Sequence, residues 1–358
     1  MGVFFENLAH FTHGITFGFF LMAAVLLKLL GKEGRLFRFL FLEMLFWTFI
    51  QLKDVGYLVP GYWDNDYISN INLSIDHWCV PATMLLFFEM VSPEWITLKR
   101  ALVVSVPSVL LTVLYIVFPS EGVFLAEFIY SGALGVFAMV VVFMASARYD
   151  NFIKRNFSYL ENIGLKWMRW VISLLFLLLA LWSVKSNYNT WLNDAIYYII
   201  SVIIWGVIFY RTIKHEVAAD VPDYINPLSN PDDDNNVNGF SDGKLRLEAK
   251  LTESMSGRKV YLDPKLSLAA LARMIGTNRT YLSGYINNYL ESTFYEYVNS
   301  FRVEDAKEML REDREEQLTM EQIAERCGFY SLSTFKRSFL KETGITPGRY
   351  RRSVRPSD

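Results

Sequence analysis

Few side chains in this 358-residue chain are set out for bond-making chemistry. The histidines, His10, His13, His77 and His215, fall at no zinc-type spacing with Cys79 and Cys327. No HExxH, Walker-type glycine loop, GxSxG or paired-carboxylate pattern occurs, so neither an enzyme, a metal site nor a cofactor is expected. What does recur, near the C-terminus, is a polar face on short amphipathic stretches. Thr280, Ser283 and Asn287 share one such face; Ser333, Lys336 and Arg337 share another. Hydroxyls, amides and cations at helical spacing suit an anionic, hydrogen-bonding partner. On the first turns of a helix lying in a DNA major groove they reach base edges; otherwise they form an ordinary solvated face. A second group, Glu43, Asp54, Asp76, His77 and Glu89, lies within or at the ends of apolar stretches. An ionisable group in a bilayer costs about 2.5–3.5 kcal/mol on insertion scales and faces a bundle interior or cavity. These five are candidate sensing residues for a small polar signal, with interhelical hydrogen bonding as the commoner use.

The elements that carry the second group belong in lipid. The chain is 52% hydrophobic and 16% aromatic with a mean hydropathy of +0.21, and its long apolar runs almost all precede residue 214. A spanning helix needs roughly 20 mainly apolar residues. Seven stretches qualify: 11–30, 37–59, 72–92, 101–118, 123–145, 168–186 and 194–213. The third carries Asp76, Pro81 and Glu89, and the sixth is short. Lysine and arginine concentrate in alternate loops, which should be cytoplasmic. Lys28, Lys32, Arg35 and Arg38 flank the first connection and Lys99 and Arg100 the third; Arg148, Lys154, Arg155, Lys166 and Arg169 flank the fifth. The pattern implies a multi-pass protein of the inner (cytoplasmic) membrane, with its N-terminus outside and its C-terminus in the cytoplasm. Met1 to His13 lacks a basic n-region, so the first stretch should remain as a membrane helix.

A net charge of −2 conceals two halves. Residues 1–243 hold 15 Lys+Arg against 21 Asp+Glu, and residues 244–358 hold 20 against 16. Between them residues 220–243 (DVPDYINPLSNPDDDNNVNGFSDG) are too polar and proline-rich to build a core, and they read as a disordered acidic tether. The domain beyond it is expected over 244–358, with a lead-in helix over 244–256. Cys79 and Cys327 fall in different halves and supply no disulfide framework.

The C-terminal half repeats itself. Leu271-Ala272, Ile275-Gly276-Thr277, Asn278 and Tyr281-Leu282 recur as Ile323-Ala324, Cys327-Gly328-Phe329, Ser331 and Thr334-Phe335. The offset is 52 residues before the turn (323 − 271) and 53 after it (331 − 278). Each unit has the parts of a helix-turn-helix: a small residue at the helix crossing, a glycine for a left-handed turn and an N-cap for the second helix. Leu282 and Ile286, like Phe335 and Phe339, are four apart and should pack inward.

Residues 259–354 resemble the DNA-binding domain of AraC/XylS-type transcription regulators. The resemblance is carried by Leu268-x-x-Leu271-Ala272, Tyr281-Leu282-Ser283, Phe294-x-x-Tyr297-Val298-Asn299-x-x-Arg302 and Ile323-Ala324. It continues through Gly328-Phe329-x-Ser331, Thr334-Phe335-x-Arg337-x-Phe339 and Gly344-x-Thr346-Pro347-x-x-Tyr350-Arg351. It implies a bacterial regulator with two helix-turn-helix subdomains joined by a central helix near Phe294 to Leu310. By position, Thr280, Ser283, Gly284 and Asn287 would face bases in the first motif, and Leu332, Ser333, Lys336 and Arg337 in the second. Asn278, Ser331, Arg349, Arg351 and Arg352 would contact phosphates, and Arg302 would hold the central helix. Gly284 departs from the family, which commonly has a basic or longer polar residue there, so the first motif should read fewer bases. The expected fold is thus all-α: a seven-helix transmembrane bundle followed by a tandem helix-turn-helix domain. Its partners would be double-stranded DNA, the lipid bilayer, an unidentified small-molecule signal and a second copy of the chain. A membrane transporter or membrane-bound enzyme carrying a fused regulatory domain is the alternative.

Overall fold

Long apolar runs with few breakers fold here as helices, and so does the amphipathic C-terminal third. The structure, a computed structural model, describes residues 2–59, 62, 65–185, 191–215, 243–313 and 317–354. The chain divides into two compact units. One is Met1–Ala147 with Leu165–Leu228; the other is Arg148–Gly164 with Ser229–Asp358.

The first unit is built from α1 (Gly2–Leu29), α2 (Arg35–Lys53), α3 (Asp66–Asp76), α4 (Cys79–Val91), α5 (Leu98–Val117), the greater part of α6 (Glu121–Asn156), α7 (Lys166–Lys185) and α8 (Trp191–Lys214). Helix α1 packs on α2 and α8, where Phe20, Trp47 and Trp205 meet; the Phe20 and Trp47 rings stack 5.4 Å apart. Elsewhere large apolar side chains face outward, among them Val103, Leu110, Ile129, Phe137 and Ile203. Among the described residues, five helices are long and apolar enough to cross a membrane: Gly2–Leu29, Asp66–Val91, Leu98–Val117, Glu121–Asn156 and Trp191–Lys214. The expected set of seven also included the stretches now seen as α2 and α7. Helix α2 carries Arg35, Arg38, Glu43 and Lys53, which lowers its apolar character. The third expected stretch is divided between α3 and α4 at His77 and Trp78, with Pro81 in the first turn of α4, where its missing N–H leaves no bond unmade.

The second unit contains α9 (Gly243–Thr252), α10 (Leu268–Met274), α11 (Arg279–Gly284), α12 (Phe294–Glu312), α13 (Met320–Arg326), α14 (Leu332–Thr343) and α15 (Pro347–Ser353). The expected lead-in helix is α9 followed by a π turn at Glu253–Gly257. The expected tether, 220–243, lies outside the described residues except for Gly243. Helix α12 joins two apolar cores. Its Phe294 and Val298 enter one with Leu268, Leu271, Leu282 and Ile286; its Val303, Ala306 and Leu310 enter the other with Ile323, Phe335 and Phe339. Within each set a three- or four-residue spacing keeps the side chains on one face, and the five-residue step from Val298 to Val303 turns the second set toward the other core. The last turns of α6 and the connector to α7 complete this unit.

Candidate nucleic-acid interface

Each half of the second unit places a capped helix behind a glycine turn. Helix α10 starts at Ser267, whose hydroxyl accepts from the Ala270 amide, and Gly276 turns the chain with φ +65°. Asn278 then caps α11, its side chain accepting from the Tyr281 N–H at 2.6 Å. In the second half, Thr319 and Gln322 form a capping box on α13, Gly328 turns the chain with φ +77°, and Ser331 caps α14 through the Thr334 N–H. The buried alanines Ala272 and Ala324 let the paired helices approach closely, and Leu282, Ile286, Phe335 and Phe339 are buried beneath the second helix of each pair. This is two copies of one local fold, each with a second helix capped at its start.

The family model described as "Helix-turn-helix domain" matches residues 271–353. This part of the chain is a helix-turn-helix domain. Similar proteins include the uncharacterized HTH-type transcriptional regulator YtdP of Bacillus subtilis, 37% identical over 93 residues, which are 26% of this chain and 12% of that protein. A second is the uncharacterized HTH-type transcriptional regulator YobQ of the same organism, 32% identical over 111 residues, or 31% of this chain and 45% of that one. The chain therefore spans less than half the length of these relatives. Among solved structures, an AraC-type transcriptional regulator from Chromobacterium violaceum is 25% identical, covering 31% of this chain and 97% of its own, with a TM-score of 0.28.

Within the helix-turn-helix domain, Thr280, Ser333, Lys336 and Arg337 are exposed, and Ser283, Gly284, Asn287 and Leu332 are half-buried. Asn287 donates its side-chain amide to Ser283 Oγ at 2.9 Å, so these two polar groups on the first face are engaged with each other. Helix α11 passes at Tyr285–Tyr289 into a π turn, directly after Gly284. Of the phosphate-contacting candidates, Asn278, Arg349 and Arg352 are exposed. Arg351 departs from expectation. Its side chain is turned into the domain, donating to Asp313 Oδ2 at 3.0 Å and to the Leu318 carbonyl at 2.8 Å. Both partners of the Arg351–Asp313 pair are shielded from water, which makes it a brace between α12 and α15 and unsuited to a backbone phosphate.

Arg302 is fully buried on α12. It donates to the carbonyls of Tyr261 (2.7 Å) and Asp263 (2.6 Å), to Asn299 Oδ1 (3.0 Å) and to the carbonyl and hydroxyl of Ser158 (3.2 and 3.1 Å). Burial draws its pKa down to about 10, opposed by Asp263, Tyr295 and Glu161, so it stays charged at neutral pH. The Ser158 partner was not legible in the sequence. The connector after α6 looked like a charged cytoplasmic loop, yet Phe157, Ser158, Tyr159 and Ile163 are all buried in this unit. The available signal was the apolar content of Phe157-Ser158-Tyr159-Leu160, three large apolar residues in four, too high for a solvated loop.

The five candidate sensing residues do not form one cluster. Glu43 accepts from Trp47 Nε1 at 3.0 Å and Thr83 Oγ1 at 2.8 Å, between α2 and α4. Glu89 pairs with Arg35 Nε at 2.8 Å. Asp54 and Asp76 converge on Lys53 Nζ at 2.6 and 2.8 Å. His77 is buried, its ring roughly perpendicular to those of Phe124 and Phe128. These are chiefly bonds between helices. A cavity of about 100 Å³, almost wholly apolar, lies nearby with Thr83, Trp47, Tyr197 and Trp205 in its wall. Among the described residues no group of three His, Cys, Asp or Glu is placed to hold a metal ion.

Proposed function

We propose that this chain is a membrane-anchored, sequence-specific transcription regulator in which a membrane domain perceives a signal and alters promoter binding by the AraC-type domain. The observation that carries the reading concerns residues 148–164. Their flanking Lys/Arg residues assign this connector to the cytoplasm, and the connector folds as part of the same unit as the DNA-reading helices. Charge distribution and packing thus point to one side of the membrane. Five apolar helices with outward-facing Leu, Val, Ile and Phe side chains support insertion, and α2 and α7 would complete seven spans. In this reading the N-terminus is outside, residues 220–243 tether the domain, and double-stranded DNA and lipid are the partners. Dimerisation on paired sites belongs to the same proposal, as does a small-molecule signal at the membrane unit.

The test uses intact cells. Externally added protease should leave the C-terminal domain whole until the membrane is permeabilised, and chromatin immunoprecipitation of the full chain should recover discrete sites. Digestion of the domain in intact cells would end this reading.

A further inference from the structure

The second unit contains a built-in acidic ligand for its own recognition helix. Glu161, in the connector between α6 and α7, accepts a hydrogen bond from Ser331 Oγ at 2.6 Å and a second from Thr334 Oγ1. Ser331 is the N-cap of the twelve-residue helix α14, and Thr334 lies in its first turn. The start of a helix presents unsatisfied N–H groups and the positive end of the helix dipole, so it favours an anion. A DNA phosphate would suit that position for the same reason.

The same connector holds the first motif and the central helix. Asn156 Oδ1 accepts from Arg279 Nε at 3.0 Å, and the Arg279 guanidinium lies 5.6 Å from the centre of the Phe152 ring. Arg279 is the first residue of α11, so a cation at the start of the first recognition helix is directed to the connector. Phe157 makes an antiparallel bridge with Ser267, and Ser158 donates its N–H and its hydroxyl to the Leu266 carbonyl at 3.1 and 2.8 Å. Arg302 and Asn299 of α12 grip Ser158 from the other side, and Tyr159 stacks on Tyr330 at 5.1 Å, next to the cap Ser331. One short segment therefore engages the starts of both recognition helices and the helix that joins them.

We propose that the connector, through Glu161, is an intramolecular competitor of DNA. Its carboxylate occupies the phosphate-binding start of α14, and DNA engagement requires its displacement. The connector is covalently continuous with α6 and α7, so a change in those helices alters how readily Glu161 leaves. The inference rests on the DNA-binding reading of α14. It deepens that reading by naming the internal group the phosphate must replace.

The sign of the effect decides the matter. A carboxylate that merely supported the fold would weaken DNA binding when removed; a competitor strengthens it. The experiment compares the full-length chain in lipid nanodiscs with its Glu161→Gln and Glu161→Ala variants. The probe is a duplex recovered by chromatin immunoprecipitation of the full chain, with a shuffled duplex as control. Both variants are expected to bind the recovered duplex about five-fold or more tighter than wild type, in the usual range of intramolecular coupling. In parallel, adding the recovered duplex to the wild-type chain should speed tryptic cleavage at Lys154 and Arg155, while the shuffled duplex should not. Unchanged or weaker binding by both variants, with helical content intact, overturns the competitor. The Arg337→Ala variant separates the two layers: if wild type binds the recovered duplex no better than this variant does, the DNA-reading assignment falls first and the competitor with it.

Discussion

Gly328 lies so close to Leu262 that a Cβ added to it would stand 2.5 Å from the Leu262 Cα, and its φ of +77° is left-handed. The contact pins the turn of the second motif to the segment that precedes the first. That segment is itself held by Arg302 through the Tyr261 and Asp263 carbonyls. Gly276, the matched turn residue of the first motif, shares the left-handed φ (+65°) but has as its nearest neighbour only the end of a flexible side chain, Lys250 Nζ at 3.7 Å.

The two glycines should therefore respond unequally to the same change. Gly276→Ala meets the left-handed penalty alone, about 1–2 kcal/mol. Gly328→Ala meets that penalty and also backbone overlap, adding about 1–3 kcal/mol. Thermal unfolding of the purified chain should show a clear loss for Gly328→Ala and a smaller one for Gly276→Ala. Equal losses would mean that the Leu262 approach relaxes easily.

Arg351 and Arg349 are two residues apart in α15 and should fail in different ways. Removing Arg351 takes the cation from the buried Asp313 carboxylate and leaves it the Gln317 and Leu318 N–H groups, a change that costs up to about 3–5 kcal/mol. Arg349 is exposed. Arg349→Ala should leave unfolding unchanged and, where it meets a phosphate, lower the salt dependence of DNA binding by roughly one counterion. Unfolding curves and a salt titration of binding check the pair. A stable Arg351→Ala chain with weakened, less salt-dependent binding would return Arg351 to the phosphate-contacting set.

Cys327 should be chemically inert in the folded chain. It is fully buried, and burial, with Asp305 adding to it, pushes its thiol up to about 12. At pH 8 the thiolate is then roughly one part in ten thousand, and the thiolate is the reactive form. N-ethylmaleimide followed by mass mapping should find Cys327 unmodified until the chain is denatured. Rapid native labelling would show that the thiol is reachable in the folded chain.

Local rules explain which features the sequence displayed. Asn278, Ser331, Gly276 and Gly328 were legible because caps and left-handed turns are fixed by one residue's own chemistry, and the repeat supplied each of them twice. The central helix α12 was legible only through the family resemblance. Arg351 was not, because its partner Asp313 lies 38 residues away and nothing local distinguishes it from the exposed Arg349 and Arg352. Glu161 was hidden for the same reason, its partner Ser331 lying 170 residues ahead. Long-range polar pairing leaves no period in the chain. The N-terminal half gave its helices through apolar length, yet the position of the break in 72–92 depends on how Pro81 and the residues before it pack.

The second recognition helix should carry more of the sequence discrimination than the first. Helix α14 begins with Leu332 and Ser333 and exposes Lys336 and Arg337 a turn later, so two long cations project from its N-terminal half. Helix α11 offers shorter groups. Gly284 has no side chain to offer, Ser283 and Asn287 bond to each other, and the helix enters a π turn immediately afterwards. Arg337→Ala should lose about 1–3 kcal/mol of discrimination between a recovered site and a shuffled one if it makes a bidentate guanine contact. Lys336→Ala should do the same if it donates to a base edge; if it meets a phosphate it should instead weaken binding to both sequences alike and lower the salt slope by about one. Thr280→Ala should have a smaller effect than either. Competition binding with both duplexes, repeated at several salt concentrations, separates these outcomes. If neither Lys336→Ala nor Arg337→Ala changes affinity or salt slope, α14 does not lie in the groove.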